Sequence, residues 1–133
     1  KARIMKHLDP ISHVMTTNVK TVQISQKMSE VLRILSENQI HHVPVVDGRK
    51  LVGIISTTDI IRLSITVSTA DGWSIERVMK RNLVTIEIHD TVRKAAQLMS
   101  DGIFHSLPVV NKDGHLVGII TSTDLIRYLA KLY

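Results

Sequence analysis

The chain has 133 residues, a formal net charge of +5 and 44% hydrophobic residues, a composition that fits a folded protein and excludes a disordered tail. Aromatics are only 3% and cysteine is absent, so the core must be built from Ile, Val, Leu and Met, and disulfides and thiolate catalysis are excluded. Basic residues are scattered instead of interleaved with aromatics, which argues against a nucleic-acid binder. No apolar run approaches the ~18 residues of a membrane span and no signal pattern opens the chain, so a cytoplasmic location is expected.

In chain order, the first nine residues read as a leading helix that stops before Pro10, because the residue preceding a proline disfavours helix. Residues 19–24 alternate like a half-buried strand. Ser25 is placed to cap a helix whose apolar positions Met28, Val31, Leu32 and Leu35 recur at helical spacing, and Asn38 is expected to end it. Residues 43–46 and 51–55 are apolar strands around the turn Asp47–Gly48, a dipeptide favoured in tight hairpins. A closing helix starts near Thr58, and a polar linker follows at residues 68–74, where Trp73 could either cover the core or meet a partner.

The pattern then repeats. An offset of 64 pairs Val14, Met15, Asn18, Thr21 and Ile24 with Val78, Met79, Asn82, Thr85 and Ile88, and pairs His41, Pro44, Val45 and Val46 with His105, Pro108, Val109 and Val110. After one inserted residue in the second turn, residues 51–55 pair with 116–120, and Thr58, Asp59, Ile61 and Arg62 pair with Thr123, Asp124, Ile126 and Arg127. Such self-similarity marks a duplicated structural unit. The expected fold class is α+β, made of two pseudo-symmetric β-α-β-β-α repeats at 11–67 and 75–133, with a leading helix at 1–10 and a linker at 68–74.

Chemistry concentrates where the last strand of each repeat meets its closing helix. The first repeat reads Gly53, Ile54, Ile55, Ser56, Thr57, Thr58, Asp59, and the second Gly118, Ile119, Ile120, Thr121, Ser122, Thr123, Asp124. Free N–H groups at a helix start attract phosphate, hydroxyls add donors, and a carboxylate three residues on can accept both hydroxyls of a ribose. The same residues also fit a capping box that needs no ligand. A second feature is Ile40, His41, His42, Val43, Pro44, mirrored as Phe104, His105, Ser106, Leu107, Pro108. Imidazoles can donate to phosphate, whereas the adjacent His41 and His42 lack the spacing of a zinc site, so no metal is expected. Met15, Met28, Met79 and Met99 read as core filler. No nucleophile elbow, phosphate-binding glycine loop or pair of carboxylates suited to acid–base work is present, and the chain is not read as an enzyme.

These residues resemble the CBS domain family, in which two copies form a Bateman module. The resemblance extends over residues 11–132 and rests on Pro followed by two Val, on the glycine-containing last strand, and on the hydroxyl-to-Asp signature, each present twice. It implies two copies packed sheet to sheet with two clefts between them, and AMP, ADP, ATP or an S-adenosyl compound as a regulatory ligand. By position, Asp59 and Asp124 would hold ribose hydroxyls. Ser56 and Thr121, helped by Thr58 and Thr123, would face phosphate, and His41, His42 and His105 would donate to it. Ser106 stands where a basic residue is common, so the second site is expected to hold polyphosphate less firmly. Ile40, Ile54, Phe104 and Ile119 would line the adenine slots beside Val43, Pro44, Leu107 and Pro108, and backbone at Lys20, Thr21 and Val22, and at Val84, Thr85 and Ile86, would read the base edge. The resemblance also implies a homodimer through helical faces and an effector domain or partner that receives the signal. The competing expectation is a ligand-free dimerisation module.

Overall fold

The computed structural model describes residues 9–133, so the leading helix expected at the start lies largely outside the described residues. The chain forms two compact units, one spanning Lys20–Leu83 and the other Val84–Tyr133 together with the described residues before Lys20. Each holds a three-stranded sheet.

In the first unit, β1 (Val22–Gln23), α1 (Met28–Asn38), β2 (His42–Asp47), β3 (Lys50–Ser56) and α2 (Thr57–Arg62) follow one another. The sheet order is β1-β2-β3, with β1 parallel and β3 antiparallel to β2. The β2–β3 hairpin closes at Gly48, whose φ of 65° explains why glycine stands in the turn. Helix α1 turns Met28, Val31, Ile34 and Leu35 inward onto Val43, Val45 and Ile55 of the sheet. Burial of each such aliphatic side chain is worth about 1.5–3 kcal/mol.

Two expectations shift. The first strand is shorter than residues 19–24, because only Val22 and Gln23 pair with β2 before the chain turns. Ser25 does not cap α1: the Gln23 N–H binds the Gln26 side chain and the Gln26 N–H binds the Gln23 carbonyl, so that turn holds residues 23–26 and Lys27 becomes the N-cap. Helix α1 does end at Asn38, as expected, and the left-handed residue that follows is Gln39, at φ 53°, while Asn38 stays helical and donates from Nδ2 to the Ile34 carbonyl. In the second repeat Gly102, at the position equivalent to Asn38, takes a positive φ.

The stretch after α2 is more ordered than a plain linker. It carries a short 3-10 turn at Ala70–Gly72 and α3 (Ile75–Val78), capped by Ser74. Trp73 packs against the core and lies under the Arg77 guanidinium, 4.8 Å from the ring centre, so it covers the core. Beyond α3, Lys80 exchanges backbone hydrogen bonds with Ile54 of β3, adding an outer pairing to the first repeat's sheet.

The second unit contains β4 (Ile86–Glu87), α4 (Val92–Met99), β5 (Ser106–Val110), β6 (Leu116–Thr121) and α5 (Ser122–Leu132) in the same arrangement, including a bulge at the same place in the hairpin. Here Thr91 caps the first helix by accepting from the Lys94 N–H. The segment preceding β1 belongs to this unit: Ile11 is wholly buried in its core, and Thr16 exchanges backbone hydrogen bonds with Ile119 of β6. Each sheet's outer pairing is therefore supplied by the stretch that leads, in sequence, into the first strand of the other sheet. Met28, Met79 and Met99 are buried and Met15 half-buried, which fits their expected role as core filler. Among the described residues no helix is long and apolar enough to cross a membrane.

Candidate functional site

Parallel pairing of β1 with β2, and antiparallel pairing of β2 with β3, put the start of β1, the start of β2 and the end of β3 at one end of the first sheet. Lys20 and Thr21 lead into β1 there, and His42 lies directly opposite Ser56. The α2 helix starts at the same place and is tied down by the His41 carbonyl, which accepts from the Thr57 N–H at 2.8 Å and from its hydroxyl at 3.3 Å. His41, His42, Ser56 and the start of α2 thus gather at one sheet end.

Ser56 caps α2. Its Oγ accepts from the Asp59 N–H at 3.2 Å, and its N–H and hydroxyl donate to Asp59 Oδ2 at 3.0 and 2.9 Å. The other carboxylate oxygen, Oδ1, accepts from Arg62 at 3.1 Å and lies 3.8 Å from the Lys80 ammonium. Asp59 is wholly buried, while the Arg62 and Lys80 side chains are exposed. Burial pushes the Asp59 carboxyl up, but the Ser56 donors, the Arg62 guanidinium and the Lys80 charge outweigh it and hold the group below the usual carboxylate range. Oδ2 is thus committed to the fold, whereas Oδ1 meets the exposed side chains of Arg62 and Lys80.

The second repeat rebuilds this arrangement. Thr121 caps α5 by accepting from the Asp124 N–H at 3.0 Å, and its own N–H donates to Asp124 Oδ2 at 2.9 Å. The His105 carbonyl accepts from the Ser122 N–H, and Ser106 lies opposite Thr121. Here the Thr16 hydroxyl reaches both carboxylate oxygens, at 3.3 and 3.4 Å, and Arg127 lies 3.6 Å from Oδ1. A pocket of about 120 Å³ opens beside Asp124, lined also by His13, Val14, Arg127, Tyr128 and Lys131.

Other predicted residues have different surroundings. Val22, Val43 and Leu107 are buried in the cores, and Pro44 and Pro108 are buried too. Ile54, Ile119 and Phe104 are half-buried, Ile86 is buried, and Val84, Thr85, Thr58 and Thr123 are exposed. Ile40 and His41 line an open groove of about 410 Å³ between α1 and α2, with Leu32, Leu35, Thr57 and Ile60. Among the described residues no cluster of three or more His, Asp or Glu could hold a metal ion.

Arg62, Arg127, Lys80 and Thr16 were not singled out in the sequence. Both arginines recur at the repeat offset, three residues after each Asp, which was an available signal. Thr16 and Lys80 are also equivalent at offset 64, but their approach to the carboxylates depends on the outer pairing of each sheet.

The CBS domain model matches residues 11–66 and 75–131. CBSX2 from Arabidopsis thaliana has been solved in complex with AMP, at 26% identity and a TM-score of 0.81, covering 93% of this chain and 98% of that one. The CBS domain pair of protein MJ0100, solved with 5′-methylthioadenosine and S-adenosyl-L-methionine, is 30% identical with a TM-score of 0.77, covering 95% of this chain and 99% of its own. A homoserine O-acetyltransferase of Methanohalobium evestigatum is 31% identical over 120 residues, which is 90% of this chain but 24% of that enzyme. The chain spans between about a quarter and a half of the first curated relatives it matches. With two matched copies, two equivalent sheets and two equivalent carboxylate sites, the chain belongs to the CBS domain family.

Proposed function

We propose that the chain is a regulatory module that binds an adenosine-containing ligand, AMP, ADP, ATP or an S-adenosyl compound, and passes that state to an attached domain or partner. The observation that carries this reading is the repeated carboxylate: each Asp is fixed by a capping box through Oδ2 while Oδ1 faces exposed, replaceable partners. A ribose diol needs two acceptor sites on one carboxylate, and an ionised carboxylate offers about four. The hydroxyls would take Oδ1 and release Arg62 or Arg127 toward phosphate. His41, His42 and His105 would add donors for phosphate, with Ser56, Thr58, Thr121 and Thr123 at the helix starts. Ile40, Ile54, Phe104 and Ile119 would flank the base, and backbone at Lys20, Thr21 and Val22, and at Val84 and Thr85, would read its edge. The AMP, methylthioadenosine and S-adenosylmethionine complexes of the two similar structures support the same ligand class. The transferase activity named for a relative belongs to a protein of which this chain matches 24%, and gives no ground for catalysis here.

The competing reading is a ligand-free dimerisation module, since both capping boxes are complete in the protein alone. Asp59→Ala and Asp124→Ala separate the two: weakened nucleotide binding in variants that still fold supports the sensor, and lowered melting temperature with unchanged binding supports the structural role. Assembly as a homodimer is part of either reading. Ile61 on α2 and Ile126 and Leu129 on α5 are exposed apolar residues on closing helices, and a two-fold contact is the commonest way to cover such faces.

A further inference from the structure

The two carboxylates differ in one partner. Lys80 and Thr16 stand at equivalent positions, each one residue after the methionine of a Val-Met pair and each hydrogen-bonded through its backbone to the strand that leads to the Asp. At Asp59 this partner is an ammonium, 3.8 Å from Oδ1 and joined there by Arg62. At Asp124 it is a neutral hydroxyl shared between both oxygens, with Arg127 as the nearby cation.

A ribose that takes Oδ1 of Asp59 must displace two cations from one buried anion. An unphosphorylated adenosine compound offers Lys80 nothing in return, so its pairing energy with Asp59 is lost on binding. A 5′-phosphorylated ligand supplies a new anion within reach of both released side chains. At Asp124 the Thr16 hydroxyl can donate or accept and can stay beside a ribose hydroxyl, so that Arg127 alone is released there, against Arg62 and Lys80 at Asp59. His13 and Lys131 line the pocket beside Asp124, but Lys131 is seven residues further along α5, about two turns away, and is not paired with the carboxylate as Lys80 is with Asp59.

Resting on the ribose assignment above, we infer that Lys80 makes the Asp59 site selective for 5′-phosphorylated adenosine ligands, and that Thr16 lets the Asp124 site accept unphosphorylated ones. Lys80 is a specificity-determining residue, and its side chain has no other ion-pair partner among the described residues.

Calorimetric titration with ADP and with adenosine tests this. Asp124→Asn isolates the Asp59 site and Asp59→Asn isolates the Asp124 site. The expected result is that Lys80→Thr lowers the ADP-over-adenosine preference at the first site by roughly tenfold, the scale of one partly screened charge pair. Thr16→Lys raises the preference at the second by a similar factor. Should either Asn variant fail to fold, Lys80→Thr and Thr16→Lys in the otherwise unchanged chain must still move the overall preference in opposite directions. Binding of both ligands with a preference that neither substitution moves overturns this inference and leaves the proposed function standing. Absence of binding by both ligands to the unsubstituted chain overturns the two together.

Discussion

Met79 lies so close to Gly53 that a β-carbon there would sit 2.6 Å from its sulfur and 3.0 Å from the Lys80 carbonyl oxygen. The second unit repeats the contact, with Met15 sulfur at 2.8 Å and the Thr16 carbonyl oxygen at 2.9 Å from a β-carbon on Gly118. Each glycine permits the close strand approach that carries Lys80 or Thr16 to its carboxylate. Because backbone as well as a side chain would have to move, Gly53→Ala and Gly118→Ala should each cost about 1–3 kcal/mol. Gly72→Ala, which meets nothing within 4 Å, should be close to neutral. Urea unfolding of the three variants reads this; equal stability of all three would contradict the packing.

The Asp59 carboxyl is held below its ordinary value, so its ionised form stabilises the folded chain. With the folded value depressed, that contribution is present above the unfolded value and is lost as pH falls through the folded one. The window lies at and below the ordinary aspartate value of 3.8. Asp59→Asn should therefore be less stable than the parent at neutral pH, and the difference should shrink below pH ~4. A difference that stays constant between pH 7 and pH 3 would show that the charge contributes nothing.

Ser56 both accepts from the Asp59 N–H and donates to its carboxylate, whereas the Thr121 hydroxyl only accepts from the Asp124 N–H. Loss of a cap costs about 1 kcal/mol. Ser56→Ala should cost more than Thr121→Ala, because it also removes a donor from a buried anion. Thermal melts of the two variants compare them directly, and the reverse order would count against the observed bonding.

Ile61 and Ile126 are 71% and 66% exposed. If those faces pair between copies, light scattering should give a dimer mass for the parent chain and a monomer mass for Ile61→Glu combined with Ile126→Glu. A monomer for the parent at high concentration, with and without nucleotide, would refute the assembly.

Much of this was legible in the sequence because the repeat compares the chain with itself. Pro44 with Pro108, Gly53 with Gly118 and Asp59 with Asp124 fixed the hairpins and closing helices, and Ser56 and Thr121 stand at the helix starts as their spacing required. Less was legible where local and tertiary preferences compete. Ser25 is a good capping residue, yet the hydrogen bonds between Gln23 and Gln26 take over that turn. Thr16 is 108 residues from Asp124, and no local pattern announces their contact. Val43 and Leu107 stand beside a ligand by family position, and both are buried in the cores, in strands whose central residues are all buried and carry no alternation to read.

The central claim is that the paired carboxylates hold an adenosine ligand, and calorimetric titration of the whole chain with AMP, ATP and S-adenosylmethionine tests it most directly. The account predicts saturable binding of at least one of them, matched by a rise in melting temperature, since a ligand at a hundredfold excess over its dissociation constant adds about 2.7 kcal/mol to stability. Asp59→Ala and Asp124→Ala should each reduce that binding. No heat and no thermal shift with any of the three at millimolar concentration would contradict it.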